Sequence, residues 1–285
     1  MSYNADSKIK DPSQFYVSGP TTVFASQSDQ RFSYLMYIPK RIATDPDKYP
    51  LVVIQHGTGR TAGQYRDLMA SFCEKERVVV LAPLFPAGID DPDDLHNYKF
   101  IEYRGLRFDT LLLDMIDEAA QRVPIDTSRF MLHGFSGGGQ FAHRFLYLHP
   151  DRLMAVSVGA PGRLTLLDDT SDWWLGTRNV RELFGVDIDL PAIRGVPVQL
   201  VIGELDIETW ETNDRSGSNW LDGLEKQGNN RRERMETFRG NLRQNGIDPR
   251  VDIVPGVAHD GRAVLPVVRE FFADVLAQSR STPAS

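Results

Sequence analysis

The stretch RFMLHGFSGGGQFAH, residues 129–143, decides the fold of this chain. It begins as an apolar run typical of a β-strand, passes through four glycines around Ser136, and continues with apolar residues at helical spacing. Residues 134–138 therefore read G-x-S-x-G between a strand and a helix. Small residues on both sides allow a sharp, strained turn that exposes the serine hydroxyl, so we predict that Ser136 is a nucleophile.

The segments around this stretch alternate between strand and helix patterns. Six short runs are apolar on both faces, as expected for parallel strands covered on both sides. They are LVVIQ, VVVLAPL, RFMLHG, LMAVSVG, VPVQLVIG and RVDIVPG. Helix patterns lie between and after them, in TAGQYRDLMASFCEKE, FDTLLLDMIDEAAQR, GGQFAHRFLYLH, METFRGNLRQNG and VLPVVREFFADVLAQ. The sequence predicts an α/β fold with a mostly parallel central sheet, helices on both faces, and ligands at the carboxyl ends of the strands.

Length and spacing indicate one domain with two long insertions. Residues 15–38 contain two further strand-like runs, predicted to form an antiparallel pair at a sheet edge. The whole chain, residues 1–285, is expected to form a single domain. Residues 163–195 and 207–231 are too long for simple turns, and each follows a predicted strand. We predict that these two segments form a cap or lid over the site.

Composition narrows the classes of function. Hydrophobic residues make up 41% and charged residues 25% of the chain, which is typical of a packed globular protein. The net charge of −7 disfavours a nucleic-acid partner, although a local basic patch remains open. No apolar run is long enough to predict a membrane span, and the single cysteine, Cys73, is expected to pack in the core. The polar start of the chain favours a cytoplasmic location, and a homo-oligomer remains possible.

A serine nucleophile needs a base and an acid from elsewhere in the chain. The base takes the hydroxyl proton, and a carboxylate fixes the tautomer of the base. His259, in VPGVAHDG, follows the last predicted strand, and Asp206, in VQLVIGELD, follows another. We therefore predict His259 as the base and Asp206 as the acid. The competing acids are Glu204, Asp214 and Asp260.

An oxyanion site should be built from main-chain amides near the serine. The helix that starts after Ser136 places the amide of Gly137 where it can donate to a developing negative charge. In VVIQHGTGRTAG, a glycine step directly after a strand makes the amide of Thr58 a second donor. The alternative for this segment is an ordinary glycine turn in which His56 is a structural hydrogen-bonding residue.

The motifs together resemble a known family. YLMYIPK, VVIQHGTG, IDTSRFMLHGFSGGG, HPDRLMAVSVGAPG, VIGELD and VPGVAHDG occur in the order seen in α/β-hydrolase fold serine esterases. The chain most resembles the polyhydroxybutyrate depolymerase and feruloyl esterase-like branch, over about residues 30–278. The resemblance implies Ser136 as nucleophile, His259 as base and Asp206 as acid, with the amides of Thr58 and Gly137 as oxyanion donors. The insertion after Asp206 does not match the family pattern.

These residues predict a serine hydrolase that cleaves carboxylic esters of small molecules through an acyl-enzyme. Two alternatives remain: an amide, carbamate or peptide-bond hydrolase with the same triad, and a non-catalytic binding member of the fold. No cofactor is expected. No metal is expected either, because the acidic run DDPDDLH at residues 90–96 lacks the spacing of a zinc or EF-hand site and is typical of a solvated loop.

Aromatic residues in the long connections are candidates for substrate contacts. They are Trp173, Trp174, Trp210, Tyr98 and Tyr103, with Trp220 as a further tryptophan of the insertions. The tryptophans could equally pack the insertions onto the body of the protein or bury a dimer contact. The charged run NNRRERMETFR is predicted to be the exposed face of a helix with no assigned function.

Overall fold

Strands and helices alternate along the chain in a computed structural model, which describes residues 18–45, 47–209, 212, 215 and 220–281. The strands are β1 Gly19–Pro20, β2 Phe24–Ala25, β3 Ser33–Ile38, β4 Tyr49–Gln55, β5 Val79–Leu84, β6 Glu102–Tyr103, β7 Leu106–Arg107, β8 Ile125–Phe135, β9 Leu153–Gly159, β10 Val198–Gly203 and β11 Arg250–Val254. The α-helices are α1 Ala62–Leu68, α2 Ala70–Glu76, α3 Phe108–Ala120, α4 Gly137–Leu148, α5 Val180–Phe184, α6 Leu190–Arg194, α7 Arg231–Gln244 and α8 Leu265–Ser281. Short 3-10 helices span Lys40–Thr44, Asn97–Phe100, Pro150–Arg152 and Leu224–Gln227.

Nine strands form one sheet in the order β1-β3-β5-β4-β8-β9-β10-β11, with β2 also beside β3. The strands from β5 to β11 in this order are parallel, whereas β3 is antiparallel to β5, and β1 and β2 are antiparallel to β3. The pairs Ile54–His133 and Leu132–Val156 fix the register at the centre of the sheet. The mostly parallel α/β sheet predicted from the sequence is confirmed, as is its antiparallel edge.

The core lies on the central strands because these carry β-branched and aliphatic residues on both faces. Residues Leu51–Ile54 of β4 are fully buried, and every residue of α4 is buried against the sheet and its surroundings. One strand differs from the prediction that all six runs are covered on both sides. Among the described residues, β11 is an edge strand next to β10, and 43% of Ile253 is exposed there.

Helix α7 also differs from its predicted exposure. Its first turn was expected to be solvated, yet Arg231 is 3% exposed and Arg234 is fully buried. Both lie on the same face as Met235, because residues three and four apart in a helix are neighbours. One face of the helix formed by the run NNRRERMETFR is therefore buried in the interior. On this buried side, Arg231 contacts Asp206 of the candidate site.

The insertion 163–195 contains α5 and α6, which the sequence did not predict. The insertion 207–231 lies partly outside the described residues. Cap or lid function for either segment stays a prediction, as does the single domain. Within the described part of the chain, no helix combines the length and apolarity that a bilayer crossing requires.

Candidate active site

Ser136 occupies the turn between β8 and α4. Its backbone has φ 57° and ψ −116°, a conformation that residues other than glycine rarely adopt. The turn is held by the Ser136 amide, which donates to the Gly159 carbonyl at 2.8 Å, and by the Ser136 carbonyl, which accepts from the Gln140 amide at 3.1 Å. Ser136 is half-buried, while Phe135 and Gly137 on either side are buried. The strained turn therefore presents the serine alone to the surface.

Two glycines make this turn possible. A Cβ atom at Gly134 would overlap the carbonyl oxygen of Gly138, and a Cβ atom at Gly138 would overlap the carbonyl oxygen of Gln55 on β4. Any larger residue at either position would push the start of α4 away from the sheet. The close packing explains the G-x-S-x-G pattern in physical terms.

His259 and Asp206 lie in hydrogen-bonding contact. The Nδ1 atom of His259 is 2.6 Å from Oδ2 of Asp206, a short distance for a hydrogen bond to a charged group. Asp206 is fully buried after β10, whereas 23% of the His259 side chain is exposed. The His259 ring lies 4.9 Å from the ring of Phe135, the residue before Ser136. The structure thus brings the predicted base and acid together beside the serine turn.

The competing acids have other partners where they are described. A carboxylate oxygen of Glu204 accepts from the Gly256 amide at 2.8 Å. Asp260 accepts from the main-chain amide of Arg262 at 2.9 Å and from its Nε at 3.0 Å. Asp214 lies outside the described residues.

The guanidinium of Arg231 is a further group at the acid. Its Nη1 lies 3.5 Å from the second carboxylate oxygen of Asp206, so both charges are buried together. The Arg231 guanidinium thus places a positive charge beside the carboxylate that contacts His259. The sequence did not identify Arg231. Helical periodicity could have done so, since Arg231 shares a face with the buried Met235, Phe238 and Leu242.

The two predicted oxyanion amides are neighbours. A Cβ atom built on Gly137 would lie 3.3 Å from the Thr58 amide nitrogen, so the Thr58 loop contacts the start of α4. Arg60 fixes this loop by donating to the Thr58 carbonyl at 2.6 Å. The two amides therefore lie close together beside Ser136, and their role as oxyanion donors stays a prediction.

His56 supports the same loop. Its Nε2 accepts from the Phe85 amide at 3.0 Å, so its Nδ1 carries the proton and donates to the Gly57 carbonyl at 2.8 Å. Burial lowers the pKa of His56 to about 3, which keeps the ring neutral in this role. His56 is thus a structural hydrogen-bonding residue, as in the alternative that the sequence left open, and it holds the loop that carries the Thr58 amide.

Tyr98 is not at the rim of the site. Tyr98 was predicted to line the rim and contact substrate, but it is fully buried and its hydroxyl donates to the His56 carbonyl at 2.9 Å. Three rings, those of His56, Phe85 and Phe141, pack around it. Tyr98 therefore supports the segment that carries the Thr58 amide. Tyr103 is half-buried with the Arg104 guanidinium 5.4 Å from its ring centroid, and its predicted substrate contact stays a prediction.

The tryptophans of the first insertion make packing contacts. Trp173 donates from Nε1 to the Phe100 carbonyl at 2.9 Å, and its ring lies 4.8 Å from that of Phe184. Trp174 is buried, with its ring 5.3 Å from the Phe100 ring. These contacts fit the packing alternative, and a substrate role for Trp173 and Trp174 stays a prediction. Trp210 lies outside the described residues.

Within the residues that the structure describes, there is no cluster of three or more histidine, cysteine, aspartate or glutamate side chains that could hold a metal ion.

The fold of this chain is similar to that of proteins with solved structures. No family model matches the sequence, and no curated protein matches it. Solved structures do match this chain. Their likeness shows that the chain has the α/β-hydrolase fold, as the sequence resemblance implied. The fold prediction is confirmed.

Three similar structures illustrate the likeness. Poly(aspartic acid) hydrolase-1 from Sphingomonas sp. KT-1 is 19% identical with a TM-score of 0.71, over 89% of this chain and 98% of that one. LpqC, a poly(3-hydroxybutyrate) depolymerase from Bordetella parapertussis, is 23% identical with a TM-score of 0.70, over 90% of this chain and 91% of that one. A ferulic acid esterase is 15% identical with a TM-score of 0.60, over 91% of this chain and 99% of that one.

Proposed function

We propose that this chain is a serine hydrolase that cleaves carboxylic esters through an acyl-enzyme on Ser136. The observation that carries the proposal is the strained serine turn next to the hydrogen bond of 2.6 Å between His259 and Asp206. A histidine held by a buried carboxylate is the group that a serine hydroxyl needs to lose its proton. The solved structures named as an esterase and a depolymerase are consistent with this reaction class.

The reaction follows from the placement of the groups. Nδ1 of His259 is hydrogen-bonded to Asp206, so Nε2 is the ring nitrogen that is available to Ser136. Nε2 accepts the Ser136 hydroxyl proton as Oγ forms a bond to the ester carbonyl carbon. The carbonyl oxygen becomes an oxyanion and accepts hydrogen bonds from the amides of Thr58 and Gly137. The bond to the alcohol then breaks, and His259 returns the proton to the leaving oxygen. Water activated by the same histidine releases the acid and restores Ser136.

The first experiment is labelling with a fluorophosphonate, followed by intact-mass measurement and peptide mapping. We expect one adduct, on Ser136, and none in Ser136→Ala. Ser128→Ala is the matched control, because Ser128 is an exposed serine on the same strand and should leave labelling unchanged. Ester hydrolysis that persists in Ser136→Ala would contradict the proposal.

Amide hydrolysis is the second candidate. One similar structure is named a poly(aspartic acid) hydrolase, and poly(aspartic acid) is a polyamide. Fold and triad do not separate the two reactions. A pair of substrates with the same acyl group, one a p-nitrophenyl ester and one a p-nitroanilide, separates them by the ratio of their kcat/KM values.

A further inference from the structure

Asp206 and Arg231 border the insertion 207–231 and meet at its base. Asp206 is the last residue before the insertion, and Arg231 is its final residue and the first residue of α7. Asp206 is fully buried and Arg231 is 3% exposed, and Nη1 of Arg231 lies 3.5 Å from Oδ1 of Asp206. A buried ion pair therefore closes the base of the insertion at the predicted acid.

The two oxygens of the Asp206 carboxylate have different surroundings. Oδ2 is 2.6 Å from Nδ1 of His259, whereas Oδ1 accepts no hydrogen bond from any residue that the structure describes. The torsion that rotates an aspartate carboxylate has broad minima, so contacts with neighbouring groups must fix the plane of the carboxylate. The base contacts one oxygen and the Arg231 guanidinium contacts the other, so the carboxylate is held from both sides.

Hydrogen bonds on both sides of Arg231 hold the start of α7 against the acid. Oδ1 of Asn230 accepts from the Glu233 amide at 2.9 Å, which caps the first turn of the helix. Nη1 of Arg232 donates at 3.2 Å to the carbonyl of Glu204, the residue that follows β10. The helix start is thus tied to the segment that carries the acid, and its backbone places Arg231 at the carboxylate.

We propose that Arg231 is a positioning residue, which holds the carboxylate of Asp206 in the plane that His259 requires. Removing one partner of a buried ion pair leaves the other charge without compensation, so without Arg231 the carboxylate loses its fixed orientation. The ring of His259 then no longer presents Nε2 to Ser136 in the geometry that proton transfer needs. Arg231 acts only through Asp206 in this role. The inference rests on the proposed function and adds a residue to its machinery.

The first measurement is kcat/KM of Arg231→Met with p-nitrophenyl acetate, because this parameter reports the acylation of Ser136. We expect kcat/KM to fall by about 10- to 100-fold, since a small displacement of the base slows proton transfer strongly. Arg231→Lys keeps the positive charge and should recover kcat/KM to within about 5-fold of the wild-type value. Rescue by lysine separates the charge from the volume of the side chain.

A double-mutant cycle with Asp206→Asn separates positioning from general support of the fold. In the Asp206→Asn background, Arg231→Met should change kcat/KM by less than about 3-fold, because the carboxylate that Arg231 holds is absent. Arg144→Met is the matched control, since Arg144 is a fully buried arginine on α4 that donates to the Thr165 hydroxyl at 2.8 Å. Its fold-change in kcat/KM should be the same in both backgrounds to within about 3-fold.

Three results would overturn the inference while leaving ester hydrolysis established. They are an unchanged kcat/KM in Arg231→Met, an equal loss in both backgrounds, and an Arg231→Lys variant no faster than Arg231→Met. If the wild-type protein hydrolyses no ester and forms no fluorophosphonate adduct on Ser136, the proposed function fails and the inference fails with it. Should Arg231→Met not fold, Arg231→Gln, which keeps a hydrogen-bond donor without the charge, takes its place in the same cycle.

Discussion

The carboxylate of Asp206 has one task if the proposed chemistry holds, which is to fix and stabilise the histidine. Asp206→Asn should therefore lower kcat by about 10³-fold or more, because an amide can hold the ring in the wrong tautomer and cannot stabilise the imidazolium. Glu204→Gln is the matched control, since Glu204 is two residues away and accepts from the Gly256 amide instead. Steady-state kinetics with one activated ester measures both. A greater loss in Glu204→Gln would transfer the role of the acid to that residue.

Individual site residues could be predicted from the sequence where their position depends on the end of a strand. His259 and Asp206 each follow a recognisable strand, so their meeting at one edge of the sheet could be predicted. Arg231 could not be found in this way, because it follows no strand. Charged side chains are mostly exposed, and only the apolar periodicity of α7 indicates that Arg231 lies on a buried face.

The turn between β8 and α4 has no room for side chains at Gly134 and Gly138. Gly138→Ala should destabilise the protein by about 3 kcal/mol or more, because the added methyl group overlaps the Gln55 carbonyl on β4. Gly240→Ala is the matched control. Gly240 lies within α7 with open space around its Cα atom, so alanine there should raise stability by about 0.5 to 1 kcal/mol. Urea unfolding measures both changes, and equal effects would contradict this account of the turn.

Elements were predicted well where periodicity is simple. All six apolar runs form strands, and the five helix patterns form helices. The edge position of β11 and the short helices α5 and α6 were missed. Neighbour order in a sheet is a long-range property, and helices of five residues carry too few apolar positions for a periodic signal.

Buried histidines make the free energy of unfolding of the whole molecule depend on pH. Burial lowers the pKa of His133 to about 4, and that of His56 to about 3, from an ordinary value of 6.5. Below about pH 6.5 the unfolded chain binds protons that the folded chain does not, so stability is greatest above that pH and falls as the pH drops. Each such histidine contributes a slope of about 1 kcal/mol per pH unit.

One variant can show how much of this pH dependence comes from His133. His133→Gln should flatten the dependence of the unfolding free energy on pH by about 1 kcal/mol per pH unit between about pH 6.5 and pH 4.5. Its Nδ1 contacts the Ser157 hydroxyl at 2.9 Å, so the variant should also be less stable at neutral pH. Urea unfolding at a series of pH values separates the two effects. An unchanged slope would mean that His133 is protonated in the folded protein.

The three residues predicted to react all follow strands of one sheet. Ser136 follows β8, Asp206 follows β10 and His259 follows β11, whereas residues 163–195 form the connection between β9 and β10. Loops tolerate changes of length and sequence better than the strands that they connect. The connection from β9 to β10 can therefore vary between related proteins while the sheet keeps the ends of its strands in place.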